Sequence, residues 1–333
     1  MPSRRSTLAV VCSVALTFPR SVGAQAMDKT RRIGILANGT NPAFEVLLES
    51  MRNEIGRLGY VEGPNVSYDF RHANGRLEHH PELAADLVRS KVDLIVTSGG
   101  PASAAASKAT ASIPIVFAIV ADPVAIKLVS SMQRPGGNVT GVTNYDPEQF
   151  PRKIALLKEV LPRLSRIAFL SEDGLPGADD SGMIPDERRA FAAARSAGVE
   201  PQLVRNKGPK PDIEAALAAI ARERADALIV LEVPLVFREG KRIAELATTQ
   251  RLPTLFPSSV TDAGALLFYG TSVFDNFARL PAMIDRIFKG TPAGEVPVEI
   301  NARRRFLIDA RTAQQLGIVV PEAVLARADK VIR

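Results

Sequence analysis

Short apolar runs alternate with amphipathic stretches along this chain, and the whole alternation occurs twice. Ile33–Leu36 (IGIL) reads as a strand, and Phe44, Leu47, Leu48, Met51, Ile55 and Leu58 then recur at helical spacing until Gly59 stops the helix. Further strands are predicted near Val66–Phe70, Asp93–Val96 and Ile115–Ile119, with helices over Pro81–Ser90 and Pro101–Thr110 between them. A helix over Lys153–Val160 leads into the second series. Its strands begin near Ile167, Gln202, Ala227 and Thr254, and its helices cover Asp186–Ser196, Asp212–Arg224 and Lys241–Gln250. The tail adds a strand at Ala265–Tyr269, a helix at Phe274–Lys289, a Pro/Gly-rich stretch over Gly290–Pro297 and a last strand-helix element.

The two series match residue by residue. IGIL aligns with Ile167–Leu170 (IAFL), Leu83-Ala84-Ala85 with Leu217-Ala218-Ala219, and Leu94-Ile95-Val96 with Leu228-Ile229-Val230, all 134 residues apart. Pro114–Phe117 and Pro253–Phe256 follow at an offset five residues longer, which one loop insertion explains. Strands and helices alternating at these lengths form mainly parallel sheets. The expected fold is therefore α/β, with two similar Rossmann-like lobes and a cleft between them. Passages between lobes are expected near Thr143–Phe150, Tyr269–Val273 and Glu295–Ile300. Residues 31–143 plus about 273–296 would form lobe 1, and about 144–272 plus about 297–333 would form lobe 2.

Composition changes this picture at the N-terminus. Arg4 and Arg5, the apolar run Leu8–Phe18 and the Ala24-Gln25-Ala26 site make residues 1–26 an export signal, by the Sec or the twin-arginine route. That run is too short to span a bilayer. The single cysteine, Cys12, lies inside it, so the processed chain carries no thiol and needs no disulfide. Three of the 42 basic residues leave with the signal, and 39 against 36 acidic ones gives +3. Such a balance does not argue for nucleic acid.

In parallel α/β sheets ligands sit beyond the carboxyl ends of the strands, where the following helices aim unpaired N–H groups. This selects Ala37-Asn38-Gly39-Thr40, Ser98-Gly99-Gly100-Pro101 and Ala121-Asp122-Pro123 in the first lobe. In the second it selects Ser171-Glu172-Asp173, Glu232-Val233-Pro234 and Pro257-Ser258-Ser259. Ser98-Gly99-Gly100 before a helix-opening proline suits a carboxylate, although Ser98 could equally cap that helix. Asp122 could hold an ammonium or serve as an ordinary N-cap before Pro123. Glu232, equivalent to Ser98 under the 134-residue offset, would face it across the cleft or stand solvated at the rim. The three histidines lack a third ligand at metal-site spacing, and G-x-S-x-G, G-x-G-x-x-G and Walker A motifs are absent, so neither a metal, a cofactor nor an enzyme activity is expected.

Several segments resemble the tryptophan/tyrosine-type substrate-binding proteins of ABC transporters, which have the type I periplasmic binding protein fold. They are VDLIVTSGGPASAAASKAT, IPIVFAIVADPV, RPGGNVTGVT, KIALLKEVLP with SRIAFL, KRIAELATTQRLPTLFPSS and LGIVVPEAVLARADKVI, and together they extend over most of the processed chain. The resemblance implies two lobes joined by three crossings that close on a small solute, in a periplasmic monomer that docks on an inner-membrane permease served by an ATPase. It implies ligand contacts at Asn38, Ser98, Gly100, Pro101, Asp122, Asn144 and Ser258, beside which the loops above add Gly99, Ser171 and Glu232. Gly100 stands where relatives often carry Thr, and Glu232 where they are often apolar, so an aromatic amino acid does not transfer automatically. An amino acid or related small carboxylate is the expected solute. An exported ligand-sensing module, or an exported hydrolase using the same cleft, are the alternatives.

Overall fold

A computed structural model describes residues 30–39 and 42–333. The export signal read over residues 1–26, with Arg4, Arg5 and Cys12, lies outside the described residues, as does Thr40.

The first series forms β1 (Arg31–Ala37), α1 (Pro42–Arg57), β2 (Val66–His72), α2 (His80–Arg89), β3 (Leu94–Ser98), α3 (Gly100–Ala109), β4 (Ile115–Val120) and β5 (Val139–Thr143). The second forms α4 (Gln149–Val160), β6 (Arg166–Glu172), α5 (Pro185–Ser196), β7 (Glu200–Asn206), α6 (Ile213–Arg222), β8 (Ala227–Val230), α7 (Pro234–Thr249), β9 (Thr254–Phe256) and β10 (Leu267–Thr271). Then come α8 (Val273–Phe277), α9 (Leu280–Phe288) and β11 (Glu299–Ile300), followed by β12 (Arg304–Asp309), α10 (Ala310–Leu316), α11 (Glu322–Leu325) and β13 (Lys330–Ile332).

The strands build two sheets, ordered β11-β5-β4-β3-β1-β2 and β13-β12-β10-β9-β8-β6-β7. The repeat is visible in them: β2-β1-β3-β4-β5 and β7-β6-β8-β9-β10 follow the same order. Every pairing is parallel except β10 with β12. Strands such as LIVTS and ALIV are apolar runs because helices cover both faces of each sheet. Helix α1 buries Leu47, Leu48, Met51 and Ile55 as one stripe and ends at Gly59, whose φ of +95° lets the Tyr60 N–H return to the Ile55 carbonyl at 3.2 Å.

The chain passes between the sheets three times, through Asn144–Glu148, Ser272 and Asn301–Arg303. Because β11 pairs with β5, the third passage follows Ile300 rather than occupying Glu295–Ile300. Asp146 ties the first passage to the third: its buried carboxylate accepts from Arg152 and from Arg304, each at 2.9 Å. The helix expected over Phe274–Lys289 is two helices, because Pro281 has no N–H for the Phe277 carbonyl and instead opens α9. The last element contains a further strand, β13, which pairs with β12. No helix among the described residues is long and apolar enough to cross a membrane.

Candidate functional site

The loops at the carboxyl ends of both sheets face one another across a cleft of about 740 Å³. From the first lobe it is lined by Asn38, Ser98, Gly99, Gly100, Pro101 and Asp122, and from the second by Glu232. Asn144, Ser171 and Ser258 do not line it. Ser258 opens a short 3-10 turn, so its hydroxyl turns inward to the Thr271 carbonyl at 2.9 Å while Ser259, one residue later, faces the cleft. Ser171 is buried in β6 with its hydroxyl unpartnered, and Asn144 stands behind Glu232 and donates to it.

Helix α3 offers the cleft an uncapped N-terminus. Gly99 adopts φ +88° with no side-chain cap, Pro101 lacks an N–H, and the Ser98 hydroxyl lines the cavity beside them. The Thr97 and Ser103 hydroxyls pair beneath it at 2.8 Å, and Ser103 also donates to the Gly99 carbonyl, which holds the loop rigid. The helix dipole and its free N–H groups favour negative charge at this point.

Asp122 is already occupied. Its Oδ1 accepts from the Ala125 N–H at 2.9 Å, and its Oδ2 pairs at 2.5 Å with Arg189, which reaches over from α5. Arg189 also pairs with Asp186 on its own helix and lies 5.1 Å from the Tyr145 ring centroid. A second arginine, Arg238, donates from Nη2 to Glu172 at 2.7 Å, and Glu172 in turn accepts from the Leu235 N–H that begins α7. The Arg238 side chain packs on Gly75 of the first lobe so tightly that a Cβ there would lie 3.0 Å from its Cδ. Nε and Nη1 of Arg238 are left buried without a partner. At Gly100 a Cβ would stand 3.4 Å from Pro176 of the second lobe. With these contacts made, the lobes touch across the cleft.

Glu232 extends from the end of β8. Its Oε2 accepts from the Asn144 amide and its Oε1 from the Ser259 hydroxyl at 2.9 Å. Burial pushes its carboxyl up, opposed by the ammonium of Lys153. Lys153 is itself buried in α4, which pushes its pKa down, and it lies 5.3 Å from the Phe150 ring centroid. Arg189 and Arg238 each follow the helix-opening proline by four residues (Pro185, Pro234), one turn into a helix that begins at the cleft. That spacing was the available signal for them. Phe237 and Phe274 also line the cavity, as does Phe44, whereas Phe150 packs in the core of the second lobe.

The sequence profile of the ABC transporter substrate binding protein family matches residues 32–332. The chain belongs to that family. This substrate-binding protein is 23% identical to a tyrosine-binding protein of Clostridioides difficile over 87% of its own length and 82% of the relative's. It superimposes on a conserved domain protein of Vibrio cholerae with a TM-score of 0.82 at 28% identity, covering 91% of this chain and 100% of that one. An ABC domain of Streptococcus pneumonia in complex with L-Trp gives 0.80 at 23% identity, again covering 91% and 100%. The architecture is that of the type I periplasmic binding proteins.

Proposed function

We propose that this protein is the solute receptor of an ABC importer, working in the periplasm as a monomer and delivering its cargo to an inner-membrane permease served by an ATPase. One observation carries the reading: the cleft takes its lining from both lobes, and the Ser98 hydroxyl and the α3 N-terminus face into it. A solute that touches both lobes binds the closed form better than the open one and shifts the population toward it. No bond is made or broken. The cargo is an amino acid or a related small carboxylate, its carboxylate held by Ser98, Gly99 and Gly100 beside Pro101, with Asn38 closing the same wall. The tyrosine-binding relative and the L-Trp complex support this class.

A thermal-shift screen of refolded protein against amino acids, small carboxylates, sugars and nucleosides tests the proposal. At a hundredfold excess over its dissociation constant, a solute that binds only the folded state adds about 2.7 kcal/mol of stability. A shift confined to amino acids or small carboxylates supports the assignment; a shift with sugars or nucleosides alone refutes it.

A further inference from the structure

We propose that Glu232 receives a positively charged nitrogen of the solute, so that the cleft selects amine-bearing solutes over the same carboxylates without the amine. The inference rests on the amino-acid reading above and names the group that makes the distinction.

Four carboxylates border the cleft: Asp122, Asp186, Glu232 and Asp262. The first two share the Arg189 guanidinium, and Asp262 is exposed to solvent. Glu232 is more withdrawn from solvent than Asp262 and, unlike Asp122 and Asp186, has no ion-pair partner within 4.0 Å among the described residues; the two groups that bind it, Asn144 and Ser259, are neutral. These donors orient the carboxylate without cancelling its charge, and an ionised carboxylate has roughly four acceptor sites, so further sites remain open. Lys153 acts on it through space, favouring the ionised form against burial, without closing to ion-pair distance.

The opposite polarity stands in the other lobe. Ser98 and the α3 N-terminus end β3, and Glu232 follows β8, the strand that repeats β3 134 residues later. The internal repeat thus presents an anion-seeking loop from one lobe and a carboxylate held only by neutral donors from the other. A zwitterion spans these two better than an anion can, because an anion would leave Glu232 desolvated beside like charge. Asp122 is displaced from the ammonium role by Arg189.

The test uses the refolded mature chain and calorimetric titration with the L-amino acids and with their des-amino carboxylic acids. Removing the amine is expected to weaken binding at least about thirtyfold in the native protein. In Glu232→Gln the preference should collapse, through loss of affinity for the amine-bearing member, while Glu232→Asp retains it. A matching circular dichroism spectrum and cooperative melt exclude misfolding of the variants. A preference that survives unchanged in Glu232→Gln overturns the assignment and leaves the amino-acid reading intact. Equal or tighter binding of the des-amino acids to native protein overturns it in favour of a plain carboxylate cargo. No response to either set of probes overturns both readings.

Discussion

Breaking the contact between Asp122 and Arg189 separates closure of the lobes from contact with the solute. Asp122→Asn is the conservative perturbation, since the amide oxygen can still accept from Ala125 while the charge opposite Arg189 disappears. The side chains are 11% and 22% exposed, so the pair lies nearer to a buried charged hydrogen bond than to a surface salt bridge. Charged hydrogen bonds contribute about 1.5–3 kcal/mol. Arg189 keeps Asp186 whether the lobes are open or closed, which places the expected loss at the low end, about 1.5 kcal/mol, or roughly tenfold in affinity. The loss should appear mainly as faster dissociation, because the contact exists only after closure. Titration calorimetry on the native protein, Asp122→Asn, Arg189→Gln and the double variant measures the coupling. A coupling of about 1.5 kcal/mol supports a latch. Independent, additive effects, or a loss in Asp122→Asn far beyond a hundredfold, would refute it and return Asp122 to direct contact with the solute.

Two further outcomes concern stability. Gly141 in β5 has no room for a side chain, as a Cβ would lie 2.2 Å from the Phe117 carbonyl oxygen and 2.6 Å from its nitrogen; Gly141→Ala should cost about 3 kcal/mol in urea unfolding, and a loss below about 0.5 kcal/mol would contradict that geometry. Burial lowers the pKa of the His80 imidazole, so the unfolded chain takes up a proton first as pH falls. Stability present above the unfolded value, about 6.5, should therefore be lost progressively below it. The melting temperature should fall more between pH 7.5 and 5.5 in the native protein than in His80→Asn, and equal falls would exclude His80 as the cause.

The fold was legible where local pattern and burial coincide. Strands such as Leu94-Ile95-Val96 and Leu228-Ile229-Val230 are apolar on both faces because each sits between helix layers, and their common offset survives as identical strand order. Much of the cleft's lining was legible for a topological reason: strand ends and helix starts converge, which placed Asn38, Ser98, Gly99, Gly100, Pro101, Asp122 and Glu232 along it. What the pattern could not carry was orientation. Ser258 and Ser259 are the same residue type one position apart, and only the turn decides which hydroxyl faces the cavity. Arg189 and Arg238 were not singled out, because their partners Asp122 and Gly75 belong to the other lobe and meet them only in the folded chain. Asn144 was expected among the ligand contacts, yet its amide serves Glu232 instead of lining the cleft.

The threefold passage of the chain also governs the order in which the molecule can be assembled. Val116, Ala118 and Val142 of the first sheet share a core with Phe277, Leu280, Met283 and Ile284, which are synthesised after five of the seven strands of the second sheet. The second sheet in turn waits for Lys330–Ile332 at its edge. A chain emerging N-terminus first therefore exposes an unfinished apolar face on the first half until α9 and β11 have followed, and on the second until β12 and β13 have, the condition under which intermediates aggregate. Neither half can be inherited or excised as a cut at one point, so a fragment ending near Thr143 should fail to fold, and the natural unit of folding is the whole chain.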